Sequence, residues 1–370
     1  MRRAASWLLE AWRNPASFPA QSVEVQDLVL RLGRQSGLLA SLAVRLEQAD
    51  SLDPLPERIR ALLEGARMIA TDRERSIRWE VNRIQRAFLG TGLPVILLKG
   101  AAYHLRDLPM AQGRLTGDVD LLLPETELPL AERALREQGW LSAVPDPYDQ
   151  RYYREWMHEL PPMRHAIRMS ELDLHHAILP RTARLSPDSN LLLQAIEPVA
   201  GTVGLWTLGE EDLVLHAVVH LFHDGDFQRL GLRDLLDLDG FFRYFSQKEA
   251  FWDRLLERAE RLQLSRPLDH ALRTTARLCH TPIPERIRHA PTLQAASPRL
   301  SRKVLDLLIE PVLLPRHPDR KGPHPFSSLA GWLLYVRSHW LRMPPRLLIP
   351  HLARKWARKW PVDVWNRRTV

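Results

Sequence analysis

Residues 93–124 read LPVILLKGAAYHLRDLPMAQGRLTGDVDLLLP. The run Leu93 to Leu98 is short, apolar and bounded by Gly92 and Gly100, as a strand buried on both faces would be. A second run, Asp118-Val119-Asp120-Leu121-Leu122-Leu123, stops at Pro124. Between the two lie a glycine turn and a stretch that suits a helix, so the expected order is strand, turn, helix, strand. Side chains on a strand alternate between faces. Asp118 and Asp120 therefore share one face, and Val119 and Leu121 enter a core.

Two carboxylates held close together repel, which costs stability unless a cation neutralises them. Mg²⁺ suits such a place: it is hard, prefers oxygen, and takes one or two carboxylates together with substrate phosphates. A third carboxylate on a neighbouring strand would complete a two-metal site for in-line displacement at phosphorus. Asp173, inside the strand-like run Glu171-Leu172-Asp173-Leu174-His175-His176, is the best candidate. His175 would share its face. Lys99 and Arg114 can bring positive charge to a triphosphate, and a glycine turn opening a helix offers backbone N–H groups to phosphate oxygens.

Working outward, residues 1–90 read as helices, with apolar residues recurring at three and four positions over 23–46 and 59–88. Glu127 to Gln138 suits a helix stopped by Gly139, and residues 141–168 are aromatic and basic without clear periodicity. Helices dominate from Glu210, over 210–224, 228–246, 249–263 and 267–279. The expected fold class is α+β, a small mixed-sheet core with N-terminal helices and a C-terminal helical domain. The expected divisions are an N-terminal helical region at 1–87, the small mixed-sheet core at 88–185, a helical domain at 186–300, and a basic, Trp-rich C-terminal extension at 301–370.

With Lys99-Gly100, Arg114-x-x-Gly117-Asp118-x-Asp120 and Asp173-x-His175 in hand, the chain resembles the uncharacterised nucleotidyltransferase family of the polymerase-beta superfamily, recognised by an LLKG…R…DxDLL…DxH pattern. The resemblance extends to EEDLVLHAVVHLFHDGDFQRLGLRDLLDLDGFF, residues 210–242, and covers most of 25–245. It implies a nucleotidyltransferase fold, Mg²⁺ as two ions, and a nucleoside triphosphate such as ATP as substrate. Asp118, Asp120 and Asp173 would be the metal-holding, catalytic carboxylates. Gly100 would form the phosphate-side turn, with Lys99, Ala101, Arg114 and His175 completing the nucleotide-binding set. One departure is Ala101, where the superfamily usually carries serine. Members often sit in bacterial polysaccharide or export gene neighbourhoods.

The histidines support a competing reading. His216 and His220 are four residues apart on an expected helix, and His223-Asp224 follow one turn later. That spacing can hold a transition metal, and with Asp234 the set would suit an HD-type phosphohydrolase. The alternatives are that these histidines pack against Asp234, Asp237 or backbone, or that His216 or His220 faces the cleft on the substrate side. A non-catalytic nucleotide or polysaccharide-precursor sensor, or a membrane-surface adaptor, would use the same fold.

Composition places the chain among globular proteins, with 45% hydrophobic and 26% charged residues. Its single cysteine, Cys279, cannot form an internal disulfide, and the basic opening segment is interrupted by Glu10 and Arg13 before a secretory apolar stretch develops. A cytoplasmic protein, peripheral to a membrane at most, is expected. The net charge of +8 is confined to the tail, because residues 331–370 hold nine Lys/Arg against Asp363 and the first 330 residues balance. Trp332, Trp340, Trp356, Trp360 and Trp365 interleave with those cations. Such a tail could lie on an anionic membrane surface, ahead of nucleic acid, or pack its tryptophans on the body.

Overall fold

The computed structural model describes residues 2–359 apart from 225, 226, 228, 229, 321 and 323. Trp360, Trp365, Arg367 and Arg368 therefore lie outside the described residues, as do the side chains of Asp224, Lys355, Trp356, Arg358 and Lys359.

Four helices precede the sheet: α1 (Arg2–Arg13), α2 (Val23–Gln35), α3 (Leu39–Gln48) and the long α4 (Glu57–Ala87). The periodic stretch 23–46 is thus two helices. The chain turns at Gly37, whose φ of +67° is open to glycine at little cost. The sheet begins with β1 (Val95–Leu98), all of whose residues are buried, as its unbroken apolar run demands. Then follow α5 (Lys99–Leu105), β2 (Asp118–Leu122), α6 (Leu128–Glu137), β3 (Trp140–Ser142), α7 (Pro147–Trp156), β4 (Met163–His165) and β5 (Glu171–His175). After α8 (Ser189–Leu193), the strands β6 (Ile196–Pro198) and β7 (Leu205–Leu208) complete a seven-stranded mixed sheet in the order β3-β4-β5-β2-β1-β7-β6. The sheet thus runs on past residue 185, and β7 pairs in parallel with the central β1.

Helices then take over: α9 (Glu210–Val219), which continues as a π-helical turn at His220–Asp224, α10 (Gly231–Phe245), α11 (Phe251–Arg261) and α12 (Ser265–Leu278). The short α13 (Glu285–Arg288) and α14 (Pro291–Ala296) lead to α15 (Arg299–Leu313), α16 (Pro325–Arg342) and α17 (Pro345–Lys359). The molecule is α+β, as expected. Among the described residues no helix is long and apolar enough to cross a membrane.

Two features fix the sheet against the helices around it. Tyr103 on α5 meets Phe241 on α10 edge-on, with ring centroids 4.9 Å apart. That contact belongs to an aromatic core in which Phe241, Phe242, Phe245 and Phe251 are fully buried, and buried edge-to-face pairs add about 0.5–1.5 kcal/mol beyond their area. The loop from α5 to β2 is wedged against α3. At Gly113, with φ +74°, an added Cβ would lie 2.6 Å from the backbone of Ala40 and Ser41.

Gly113→Ala is therefore expected to destabilise the protein by about 3 kcal/mol or more, since strain and a backbone clash combine. Gly90→Ala has a similar φ of +80° but open space around it, and is expected to cost about 1 kcal/mol. Urea unfolding of the two variants side by side checks this, and equal losses would contradict it.

Candidate functional site

The register of β2 on β5 assembles the site. The two strands are parallel, with Asp118 beside Glu171, Asp120 beside Asp173, and Leu122 beside His175. Because residues two apart share a face, Asp118, Asp120, Glu171, Asp173 and His175 all project to the same side, while Val119, Leu121, Leu172 and Leu174 are buried on the other. Asp120 and Asp173 come from positions 53 residues apart, and pairing alone makes them neighbours.

Asp120 is 2% exposed. Its Oδ1 accepts from Lys99 Nζ at 2.7 Å and from His175 Nε2 at 2.9 Å. A carboxylate can only accept, so Nε2 carries the imidazole proton. Burial alone would raise the Asp120 carboxyl, but the Lys99 ammonium and His175 outweigh it and hold the group well below the usual carboxylate range. Asp173 goes the other way. Burial first, then the charges of Asp120 and Glu159, push it up to about 7. Its Oδ1 is buried with no hydrogen-bond partner. Asp118, at the open end of the strand, is also raised, by desolvation and by Asp120.

Lys99 sits where β1 turns into α5, with φ +45° in the left-handed region. That conformation is unusual for a lysine and costs on the order of 1 kcal/mol; it aims the side chain back at Asp120. Next in sequence, Gly100 has no room for a side chain, because a Cβ would lie 2.6 Å from Arg114 Nη1 and from Thr116. Ala101 is buried in the core and does not line the cleft.

That cleft, of ≈ 410 Å³, opens between the β2 face and the helices α9 and α10. Lys99, Gly100, Arg114, Thr116, Asp118, Asp120, Glu171, His220 and Arg233 are among the residues that line it. Its cations are already engaged. Arg114 Nε donates to Asp237 Oδ2 at 2.9 Å, and its Nη1 donates to Thr116 Oγ1 at 3.0 Å. Arg233 Nη2 donates to Asp234 at 2.8 Å. Charge in the cleft is thus close to balanced or negative, and a polyphosphate would need added divalent cations to enter it.

Among the described residues, two groups could hold an ion, with ligand atoms within 4.8 Å of one another. One is Asp120, Asp173 and His175, and the other is His158, Glu159 and His175. Asp118 stands one alternation further along β2 and belongs to neither group, although it lines the same cleft. The donor set fits a divalent cation: two carboxylates side by side on one rung, one with a buried oxygen that bonds to nothing, in a cleft lined by more acids than cations. Oxygen donors favour Mg²⁺ or Mn²⁺, and the imidazole admits softer first-row ions.

The helical histidines stay apart from these groups. His216 is buried, and burial, then the charge of Lys99, holds its imidazole well below its ordinary pKa. His220 opens the π-helical turn and lines the cleft, with Nδ1 3.7 Å from Asp234. His223 is buried. Neither ion-capable group draws on them, and the side chain of Asp224, a further member of the phosphohydrolase set, lies outside the described residues.

Glu159 and His158 are functional candidates that sequence reasoning missed. They follow α7 in the stretch without clear periodicity, and Glu159 reaches the site through an isolated antiparallel bridge to His175, with its Oε2 3.5 Å from His175 Nε2. The acid next to histidine, just before Pro161-Pro162, was the available signal, but no spacing rule links it to a strand residue sixteen positions later.

No curated protein and no solved structure matches the chain. A protein-family model, that of the uncharacterised nucleotidyltransferases, matches residues 23–280, from the second helix to just beyond α12. The match spans the sheet, the carboxylate cluster and the cleft-forming helices, and by it the chain belongs to the uncharacterised nucleotidyltransferase family.

Proposed function

We propose that this protein is a divalent-metal-dependent enzyme that moves a nucleoside monophosphate from a nucleoside triphosphate to an acceptor hydroxyl. The observation that carries this reading is the rung that pairs Asp173 with Asp120, which together with Asp118 lines a cleft whose arginines are already paired. Asp118, Asp120 and Asp173 would hold the ions, which when bound neutralise the carboxylates and the polyphosphate and lower the pKa of the acceptor hydroxyl. Lys99, Arg114 and Arg233 then orient the phosphate chain. Gly100 leaves the space that lets Arg114 and Thr116 close on the start of α5. His175 holds the Asp120 carboxylate in place, and Glu159 sits behind His175. The acceptor hydroxyl releases its proton to solvent, its oxygen bonds to the α-phosphorus, and the bond from that phosphorus to the α–β bridging oxygen breaks as pyrophosphate departs.

Asp120→Asn and Asp173→Asn are expected to weaken Mg²⁺-dependent nucleotide binding by about tenfold or more, a loss of roughly 1.4 kcal/mol, as read by calorimetry on the purified chain. Unchanged binding in both would sink the reading. Lys99 now supplies the positive charge that a bound cation would bring to Asp120. Lys99→Met is therefore expected to tighten Mg²⁺ binding several-fold while lowering turnover; a fall in both would mean that the lysine only builds the site.

The raised Asp173 carboxyl sets a pH dependence. An unfolded Asp titrates near 3.9, whereas this one holds its proton up to about 7. Between these values the folded, metal-free protein binds a proton that the unfolded chain has released, so the contribution of Asp173 to stability falls as pH rises through 7. Relative to Asp173→Asn, the wild type is expected to lose melting temperature between pH 5 and 8 without metal, and to regain it on adding Mg²⁺ above pH 7. A difference between the two that does not vary with pH would contradict this.

A further inference from the structure

The helix α16 is built inside out. The residues it turns toward the protein are small or singly apolar: Ser327, Ala330, Gly331, Leu334 and Ser338 are buried. The opposite face carries Phe326, Leu329, Trp332, Leu333, Val336 and Trp340, all exposed, with Trp332 at 59% and Leu329 at 53%. At 3.6 residues per turn, 326, 329, 333, 336 and 340 form one stripe flanked by 332. A surface helix of a globular protein has the reverse pattern, and so large an aromatic and aliphatic face marks an interaction surface.

The charge that follows this helix in sequence says what covers it. From Pro325 to Lys359 there are seven Lys/Arg and no Asp or Glu. One of them, Arg337, points inward, donating from Nη1 to the carbonyl of Phe222 at 3.0 Å. The others follow α16 at its end and along α17, where Arg346 and Arg354 are exposed. Apolar side chains with interfacial tryptophans, followed by cations without acids, match the two layers of a bilayer surface: the acyl boundary and the anionic headgroups.

We propose that the outward face of α16 docks this protein on an anionic membrane surface, with its apolar stripe at the acyl–headgroup boundary and the cations of the following segment among the lipid phosphates. The docking helix is tied to the cleft, because Arg337 grips the π-helical turn that begins with His220. The inference does not depend on the chemistry proposed for that cleft.

Flotation of the full chain with vesicles tests it. The wild type is expected to float with vesicles of equal parts phosphatidylglycerol and phosphatidylcholine, to stay behind with phosphatidylcholine alone, and to release in high salt. The double variant W332E/V336E is expected to lose binding by about tenfold or more while keeping the wild-type circular dichroism melt, because both side chains face water. Arg346→Ala with Arg354→Ala is a second variant that leaves the apolar face intact, and is expected to weaken anionic binding and reduce its salt dependence. Three results would overturn the proposal: no binding of the wild type to anionic vesicles, unchanged binding by both variants, or a wild-type dimer in light scattering that W332E/V336E dissociates. The last would assign the face to a second copy of the chain.

Discussion

The contact on which the site depends is the rung where Asp120 and Asp173 lie side by side on parallel strands. Like charges directly opposite destabilise a sheet, and here one of them is almost fully withdrawn from water. The pair persists because the surrounding residues divide the two carboxylates electrostatically. Lys99 and His175 are both given to Asp120, which stays ionised, and Asp173 is left with a bare oxygen and a raised pKa. A sheet that sought stability alone would place an apolar or oppositely charged residue at position 173. The register cannot relax instead. A slip of one residue would drive both acids into the core and expose Val119, Leu121, Leu172 and Leu174.

The helical half meets this rung through a second buried charge contact. Arg114, buried at the cleft wall, pairs with Asp237 on α10 and stands over the Tyr103 ring at 5.3 Å. Removing one partner of such a pair leaves an uncompensated buried charge, typically worth 3–5 kcal/mol by its absence, so the cleft wall is held at a fixed distance from the carboxylates. The same arginine that could steady a phosphate thus also sets the cleft's width. A hydroxyl is present beside it as well. Ala101 supplies none and lies in the core, whereas Thr116 lines the cleft 3.0 Å from Arg114.

Much of this was legible because it rests on local patterns. The strand β1 is an apolar run, β2 and β5 alternate acids with apolar residues so that Asp118 and Asp120 share one face, and the C-terminal helices carry strong periodicity. Elements that escaped reading are those whose structure comes from partners. β3, β4 and β6 are three residues each, too short for any period to show, and β7 joins the sheet by pairing with a strand more than a hundred positions earlier. Glu159 arrives from a loop. The sheet takes in β6 and β7 through hydrogen bonds that no local pattern announces. In the tail, cations and tryptophans were plain in the sequence, but not which side of α16 faces out, since its buried side sets a single leucine among serines, alanine and glycine and carries little hydrophobic signal.

Lys99 and Gly100 show how tightly the turn between β1 and α5 is determined. The left-handed conformation falls on the lysine, where glycine would relieve the strain, and the glycine stands one residue later with no need of a special φ. Exchanging the two would ease the backbone and ruin the site. A lysine at position 100 would collide with Arg114 and Thr116, and a glycine at 99 would leave Asp120 without its cation. Steric closure decides where glycine must be, and the buried carboxylate decides where the charge must be. The backbone accepts strain of about 1 kcal/mol to satisfy both. Strain that persists beside a buried, partly unsatisfied carboxylate pair is what a site shaped for a ligand, as proposed above, would require, whereas folding alone would have no use for it.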